Sequence, residues 1–220
     1  MGDWGRADYL SRHGIQDRRV LDAISRLNRA DFVPEALRVE ASADVPLPIG
    51  HGQTISQPYV VALMTEALQL QGDERVLEVG TGSGYQTALL SLLCREVFTV
   101  EIVPELARSA RQVLREQGFD NVSFREGDGA LGWPEHAPFD AILAAAAPQD
   151  VPLQLLSQLK PGGRMLIPVG PQGGTQQLLR IQRSLRSGEV PQVESLLPVR
   201  FVPMTGQSQP QGEVPGSGGA

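Results

Sequence analysis

The chain is poor in cysteine, in net positive charge and in long apolar runs. Its 220 residues include one cysteine, Cys94. A single thiol forms no internal disulfide, and neither CxxC nor a Cys/His metal-ligand spacing occurs, so a disulfide framework and a structural metal site are both excluded. Cys94 closes the run LLSLLC and reads as a small core residue. The net charge is −6 and the isoelectric point about 5.1. Nucleic acid and anionic membrane both call for a basic face, which this balance does not supply. Arg180, Arg183 and Arg186, three apart, read as one solvated side of a strand or loop. No apolar stretch approaches the ~20 residues of a membrane span. The opening residues lack the basic-then-apolar pattern of a leader. The expectation is a protein of the reducing cytoplasm, with no metal, no membrane and no nucleic-acid partner.

What is present is ordinary in amount and ordered in pattern. The apolar fraction is 41%, and the length suits one domain with appendages. Val20, Leu21, Ile24 and Leu27 fall at helical spacing after Asp17, a plausible cap. The stretch from Ala30 to Gly52 is rich in Pro and Gly and reads as irregular. A second helix is expected from Pro58, with Val60, Val61, Met64 and Leu68 on one face.

From Arg75 the pattern alternates. RVLEVG, VFTVE, VSFREGD, FDAILAAAA and RMLIPVG read as strands. TGSGYQTALLSLLC, PELARSARQVLREQG and PLQLLSQL read as helices, with KPGG as a turn. Such alternation implies a parallel sheet covered on both faces. QQLLRIQRS and ESLLPVRFVPM, joined by a turn at Ser187–Gly188, are expected to form an antiparallel pair at one sheet edge. Met165 reads as core. The last stretch, GQSQPQGEVPGSGGA, has almost nothing to bury and reads as disordered.

VLEVGTGSGYQT sets Gly80, Gly82 and Gly84 between a strand and a helix, where open α/β sheets bind ligands. The helix, read as starting near Ser83, would present free N–H groups. Glu78 lies inside the strand, where an acid needs a partner, and a cationic amine is one. Glu101 ends the next strand, where an acid can accept from both hydroxyls of a ribose. A dinucleotide loop reads GxGxxG and holds a pyrophosphate; this loop reads GxGxG, and its upstream acid would repel phosphate. Charge therefore favours S-adenosyl-L-methionine, which has a ribose, an ammonium and a sulfonium but no phosphate. Asp128, in the GDG of Gly127–Gly129, reads either as an acceptor for an adenine amino group or as the cap of a turn. Ser56, in GQTISQP, reads either as the cap of the helix at Pro58 or as a substrate contact. His51 reads as incidental, Tyr85 as packing beside the glycine loop, and Trp133 as packing with adenine contact as the alternative.

EVGTGSG, the VE ending the second strand, GDG, FDAI and LKPGG together resemble class I S-adenosylmethionine-dependent methyltransferases. GQTISQP, GTGSGYQTALL, APFDAI, AAP, LKPGGRMLIPVG and VRFVPM resemble one branch closely, the protein-L-isoaspartate O-methyltransferases. The similarity runs from about Ala30 to Thr205, and TISQP is its most specific part. The resemblance implies a Rossmann-like, seven-stranded, doubly wound sheet with an antiparallel final strand and an N-terminal helical extension. The expected division is an extension with the substrate loop over 1–57, a cofactor-binding domain over 58–205, and a tail over 206–220. Cofactor residues would fall on Glu78, Gly80, Thr81, Gly82, Ser83, Glu101, Asp128 and Gly129. Ser56 would be the functional serine, with Gln53, Thr54 and Ile55 around the substrate. Ala145 would line the site through its backbone, although AAAAP departs from relatives that carry Thr or Gly there.

The implied activity is methylation of the free α-carboxylate of L-isoaspartyl residues in damaged peptides and proteins, which starts repair through a succinimide. A monomer is implied. The competing readings are a class I methyltransferase with another small-molecule acceptor, a non-catalytic S-adenosylmethionine-binding protein, and a nicotinamide-dependent oxidoreductase, which the loop and its acid disfavour.

Overall fold

Helices gather at the N-terminus and alternate with strands thereafter. The computed structural model describes residues 4–186 and 188–206. Helix α1 (Trp4–Arg12) has weak apolar patterning and is not among the expected helices, yet its Leu10 is fully buried. Helix α2 (Arg18–Arg26) matches expectation. Asp17 caps it by accepting the Arg19 N–H at 2.8 Å, and Val20, Ile24 and Leu27 face inward.

The stretch expected as irregular holds more order than its prolines advertise. Two 3₁₀ turns (Arg29–Phe32, Glu35–Ser42) lead to a hairpin of β1 (Leu47–Gly50) and β2 (Gln53–Ile55). Pro48 pairs opposite Thr54 in this ribbon. A two-stranded ribbon is all edge, so a missing N–H is tolerated there and the strand signal is masked. Helix α3 (Pro58–Leu68) starts on its proline as expected, with Val61, Met64 and Leu68 buried and Val60 half-buried.

The remaining elements are β3 (Arg75–Val79), α4 (Tyr85–Ser91), β4 (Glu96–Glu101), α5 (Pro104–Glu116), β5 (Val122–Glu126), β6 (Phe139–Ala144), α6 (Leu153–Gln158), β7 (Leu159–Val169), β8 (Gln176–Gln182) and β9 (Gln192–Val199). They form a seven-stranded sheet in the order β5-β4-β3-β6-β7-β8-β9. The strands β5 to β7 in that order are parallel; β8 runs antiparallel to both β7 and β9. This is the expected doubly wound methyltransferase fold with its antiparallel end. The expected turn at KPGG is instead the start of β7. Leu159 already pairs with Phe139, and Gly162 and Gly163 exchange hydrogen bonds with Arg183, so the strand reaches back through a bulge. Ser187, the first residue of the expected turn before β9, lies outside the described residues. So does the expected disordered tail beyond Gly206.

Alternation along the strands splits the core. Val76 of β3 and Ala141 and Leu143 of β6 face one apolar layer, which also takes Leu10, Ile24, Met64 and Leu89. Leu77, Val79, Ile142 and Ala144 face the other, with Phe98, Phe139 and Leu155. Leu10 to Ile55 of the N-terminal part and the sheet therefore share one apolar layer. The chain turns back at β3: β4 and β5 lie on one side of it and β6 and β7 on the other. The crevice beyond the carboxyl ends of these strands is the ligand position of such sheets.

Gly84 joins the loop to α4 in a left-handed conformation, φ +87, and a Cβ there would meet Leu114 Cδ1 at 3.1 Å. Gly84→Ala is expected to destabilise the fold by about 1–3 kcal/mol, since it adds strain at positive φ to crowding. Urea unfolding measures the loss; an unchanged midpoint contradicts it.

Candidate active site

A cleft of about 900 Å³, counted out to bulk solvent, opens over the carboxyl ends of β3, β4 and β6. Gly80 to Ser83, Glu101, Ile102 and Gly129 form its floor. Gln53 to Ser56 close one side and Phe201 to Thr205 another, with Ala145 and Ala146 between them.

Glu101 organises the floor. Its Oε2 accepts the Gly82 N–H at 2.8 Å and its Oε1 accepts the Val103 N–H at 2.9 Å. It is 5% exposed, and that surface faces the cleft. Each carboxylate oxygen has a further lone pair, so the group can still accept from a pair of ligand hydroxyls. Gly82, at φ +54, carries the turn that brings its N–H to Glu101. A Cβ there would point at Ile49 Cδ1, 3.5 Å away across the cleft mouth. Helix α4 begins at Tyr85 rather than near Ser83. The Ser83 Oγ accepts the Tyr85 N–H at 3.3 Å and Thr81 O accepts that of Gly84, so two of the N–H groups expected to be free are in use.

Glu78 is fully buried and is not on the cleft wall. Its Oε2 accepts from Thr87 Oγ1 and Thr99 Oγ1, each at 2.6 Å, and Thr99 meets Thr81 Oγ1 at 2.6 Å. A hydroxyl has one proton; Thr99 gives its own to Glu78, so Thr81 donates to Thr99. The acid thus supports the loop from below through Thr99 and Thr81. Its Oε1 is buried without a protein partner. Burial pushes the carboxyl up to about 8, against the opposing pull of the Thr87 and Thr99 hydrogen bonds. Among the described residues no cationic side chain partners Glu78.

Asp128 likewise stands off the wall, while its neighbour Gly129 is on it. Asp128 Oδ1 accepts the Ala130 N–H at 2.9 Å and caps a short 3₁₀ turn, Gly129–Leu131. Tyr85 lines the cleft and packs edge-on against Phe32. Trp133 packs against Phe98 and His136, away from the cleft, and His51 is exposed in the hairpin turn.

Ser56 sits where this cleft meets a second one of about 1190 Å³ on the same measure. Thr54, Ala145, Phe201 and Val202 also border both; Arg200, Tyr59 and Thr175 line only the second. Ser56 does not cap α3. That helix begins after Gln57 with no cap from its own segment, and Asp44, from upstream of the hairpin, accepts the Tyr59 N–H at 2.9 Å. The Ser56 hydroxyl makes no side-chain hydrogen bond among the described residues.

The family model for protein-L-isoaspartate(D-aspartate) O-methyltransferase matches residues 7–209. The chain belongs to this family. It is 87% identical over 212 residues to the protein-L-isoaspartate O-methyltransferase of Myxococcus xanthus (strain DK1622), covering 96% of this chain and 100% of that one. It is 62% identical to the enzyme of the same name from Anaeromyxobacter dehalogenans (strain 2CP-C), over 90% of this chain and 95% of that one. Among solved structures, a protein-L-isoaspartate O-methyltransferase superposes with a TM-score of 0.82 at 27% identity, over 92% of this chain and 65% of that one. A Plasmodium falciparum structure described as a family member in complex with S-adenosyl-L-homocysteine has the same fold, with a TM-score of 0.79 at 24% identity.

Of the residues expected in this family's site, Gln53, Thr54, Ile55, Ser56, Gly80, Thr81, Gly82, Ser83, Glu101 and Gly129 share the cleft. Glu78 and Asp128 stand behind it. Sequence reasoning missed the wall from Phe201 to Thr205, although VRFVPM was the signal that marked it. It also missed Thr99 and Asp44, whose roles depend on contacts distant in sequence.

Glu78→Gln tests the buried acid. The folded carboxyl titrates above the unfolded one, so folding takes up a proton, and wild-type stability falls as pH rises from about 4.5 to about 8. The Gln variant lacks this titration. Relative to wild type it is expected to gain on the order of a few kcal/mol between pH 5 and pH 8. Urea unfolding of both proteins at each pH measures it, and a pH-independent difference contradicts a raised carboxyl.

Proposed function

We propose that Ser56 orients the acceptor carboxylate while Glu101 and the glycine loop hold the methyl donor. The chain is a protein-L-isoaspartate O-methyltransferase, with S-adenosyl-L-methionine as donor and isoaspartyl residues of peptides and proteins as acceptors. The residue roles rest chiefly on one observation: Ser56 borders both cavities with a hydroxyl that no described residue engages.

S-adenosyl-L-methionine supplies a methyl on a positive sulfur, whose carbon–sulfur bond breaks as the acceptor oxygen bonds to carbon, so that a neutral thioether leaves. A free α-carboxyl has a pKa near ~3.5 and is ionised at neutral pH, so no residue need act as general base. The chain's task is alignment. One hydroxyl donor at Ser56 steers the carboxylate without holding its charge as a lysine or arginine would; that charge disappears as the bond forms. The apolar faces of Ile55, Phe201, Val202 and Met204 keep water from the acceptor. Glu101 would accept from the ribose hydroxyls, and Gly80 to Ser83 and Gly129 would lie against the nucleoside. Glu78 and Asp128 would act from behind the wall, Glu78 through the threonine relay.

The ester product loses methanol when the adjacent backbone nitrogen closes a succinimide, and hydrolysis returns part of it to normal aspartate. The proposed setting is the cytoplasm, with a monomer as the working unit. The single buried Cys94 needs no oxidising compartment, and among the described residues no helix is long and apolar enough to cross a membrane.

Labelled methyl is expected to pass to an isoaspartyl peptide and not to its aspartyl twin; transfer to both would overturn the acceptor assignment. Ser56→Ala is expected to keep S-adenosylhomocysteine affinity and to lower kcat about tenfold or more, a barrier change of ~1.4 kcal/mol. Unchanged kcat removes Ser56 from the mechanism. Glu101→Ala is expected to weaken S-adenosylhomocysteine binding by about tenfold or more, through lost charge-assisted hydrogen bonds; calorimetric titration reads it, and an unchanged affinity contradicts the role.

A further inference from the structure

Arg29 is the largest fully buried side chain of the described residues, 0% exposed, yet no carboxylate lies within ion-pairing distance of it among them. A buried guanidinium is costly unless its protons are met. Here they are met by backbone carbonyls. Nη1 donates to Ala41 O and Ala43 O, each at 3.2 Å, and Nη2 donates to Val45 O at 2.8 Å and Ser56 O at 3.1 Å. All four Nη protons are used; only Nε lacks a partner. Burial, then the nearby Arg6 charge, lowers its pKa to about 10, still charged at neutral pH.

Three of the acceptors lie in the segment 41–45 and the fourth is the carbonyl of Ser56. The same segment reaches Ser56 by a second route. Asp44 Oδ1 accepts the Tyr59 N–H and its Oδ2 accepts from Gln57 Nε2 at 2.8 Å. The chain is thereby held at Ser56 itself and, across the start of α3, at Gln57 and Tyr59. On the other side the β1–β2 ribbon holds Thr54 and Ile55 through Pro48 and Leu47. Ser56 is fixed by backbone anchors while its side chain is left unengaged. A hydroxyl that must meet a mobile carboxylate in line with a bond about to break needs that arrangement, because small misplacement is expensive.

We propose that Arg29, through its hold on the 41–45 segment and on the Ser56 carbonyl, is the positioning residue that aims the Ser56 hydroxyl at the acceptor. This rests on the orienting role of Ser56. Arg29 touches neither substrate nor donor. It fixes where the acceptor-side wall stands relative to the glycine loop, which is built from other elements and does not depend on it.

A double-mutant cycle on the full chain tests this, with R29K, S56A and the pair. Lysine keeps the charge but has one nitrogen, which cannot serve four carbonyls in a planar fork. S-adenosylhomocysteine affinity, measured by titration, reads the donor side and is expected to stay within about threefold in all three variants. In R29K, kcat with an isoaspartyl peptide is expected to fall about tenfold while KM changes less than about threefold; in the S56A background R29K is expected to cost less than about twofold more. A full tenfold loss in both backgrounds, or an unchanged kcat in R29K, overturns the inference. An S56A variant with wild-type kcat overturns the orienting role of Ser56 itself, and this inference with it. An additive loss beside a large S56A effect sinks only the role of Arg29. If R29K shows no cooperative unfolding transition, D44N replaces it in the cycle. It loosens the same segment from α3 and must show the same coupling to S56A, and additivity there overturns the inference equally.

Discussion

The carboxylate of Glu101, bonded to the Gly82 N–H, is the contact on which the rest of the site depends. It ties the end of one parallel strand to the turn that leaves its neighbour. That turn then forms a floor that a nucleoside can lie across, and the acid still faces the cleft with lone pairs to spare. A charge at a strand end is tolerable because two backbone donors meet it. The Rossmann-like sheet supplies the geometry. Parallel neighbours end together, and their loops diverge where the chain order turns back at β3.

Two acids on neighbouring strands, Glu78 in β3 and Glu101 at the end of β4, do opposite work because their surroundings differ. Glu101 meets backbone N–H groups at the edge of solvent and serves as an acceptor. Glu78, two residues before Gly80, lies under the same turn with threonine hydroxyls on one oxygen and no protein partner on the other. Desolvation pushes its carboxyl up to about 8. The wall that carries Ser56 is built on different terms: its serine is placed by main-chain anchors, and a buried cation, Arg29, meets only carbonyl oxygens. The glycine-loop side and the Ser56 side are separate constructions that meet at the line shared by the two cavities.

Much of this was legible in residue order. The alternation from Arg75 to Val169, the proline starts of α3 and α5 and the cap at Asp17 are local signals, and each predicted its element. GTGSG with Glu101 pointed to the cleft floor, and TISQP to its side wall. The misses have a common cause. The hairpin at Leu47–Ile55 was hidden by Pro48, whose missing N–H matters only where a strand has neighbours on both sides. The start of β7 was hidden by Pro161 and two glycines, which turn chemistry claims first and pairing with β6 overrides.

The sequence alone determined the alternation of strands and helices from Arg75 onward, the glycine turn with an acid on each of the two neighbouring strands, and the family to which those motifs point, because spacing and side-chain chemistry are local properties. Only the tertiary structure decided which acid faces the cleft and which lies beneath its floor. It alone showed that Asp44 rather than Ser56 caps α3, and that Arg29 reaches the carbonyl of Ser56. Those outcomes depend on burial and on partners far apart in the chain, and the free energy of a polar group is set by what surrounds it once the chain has closed.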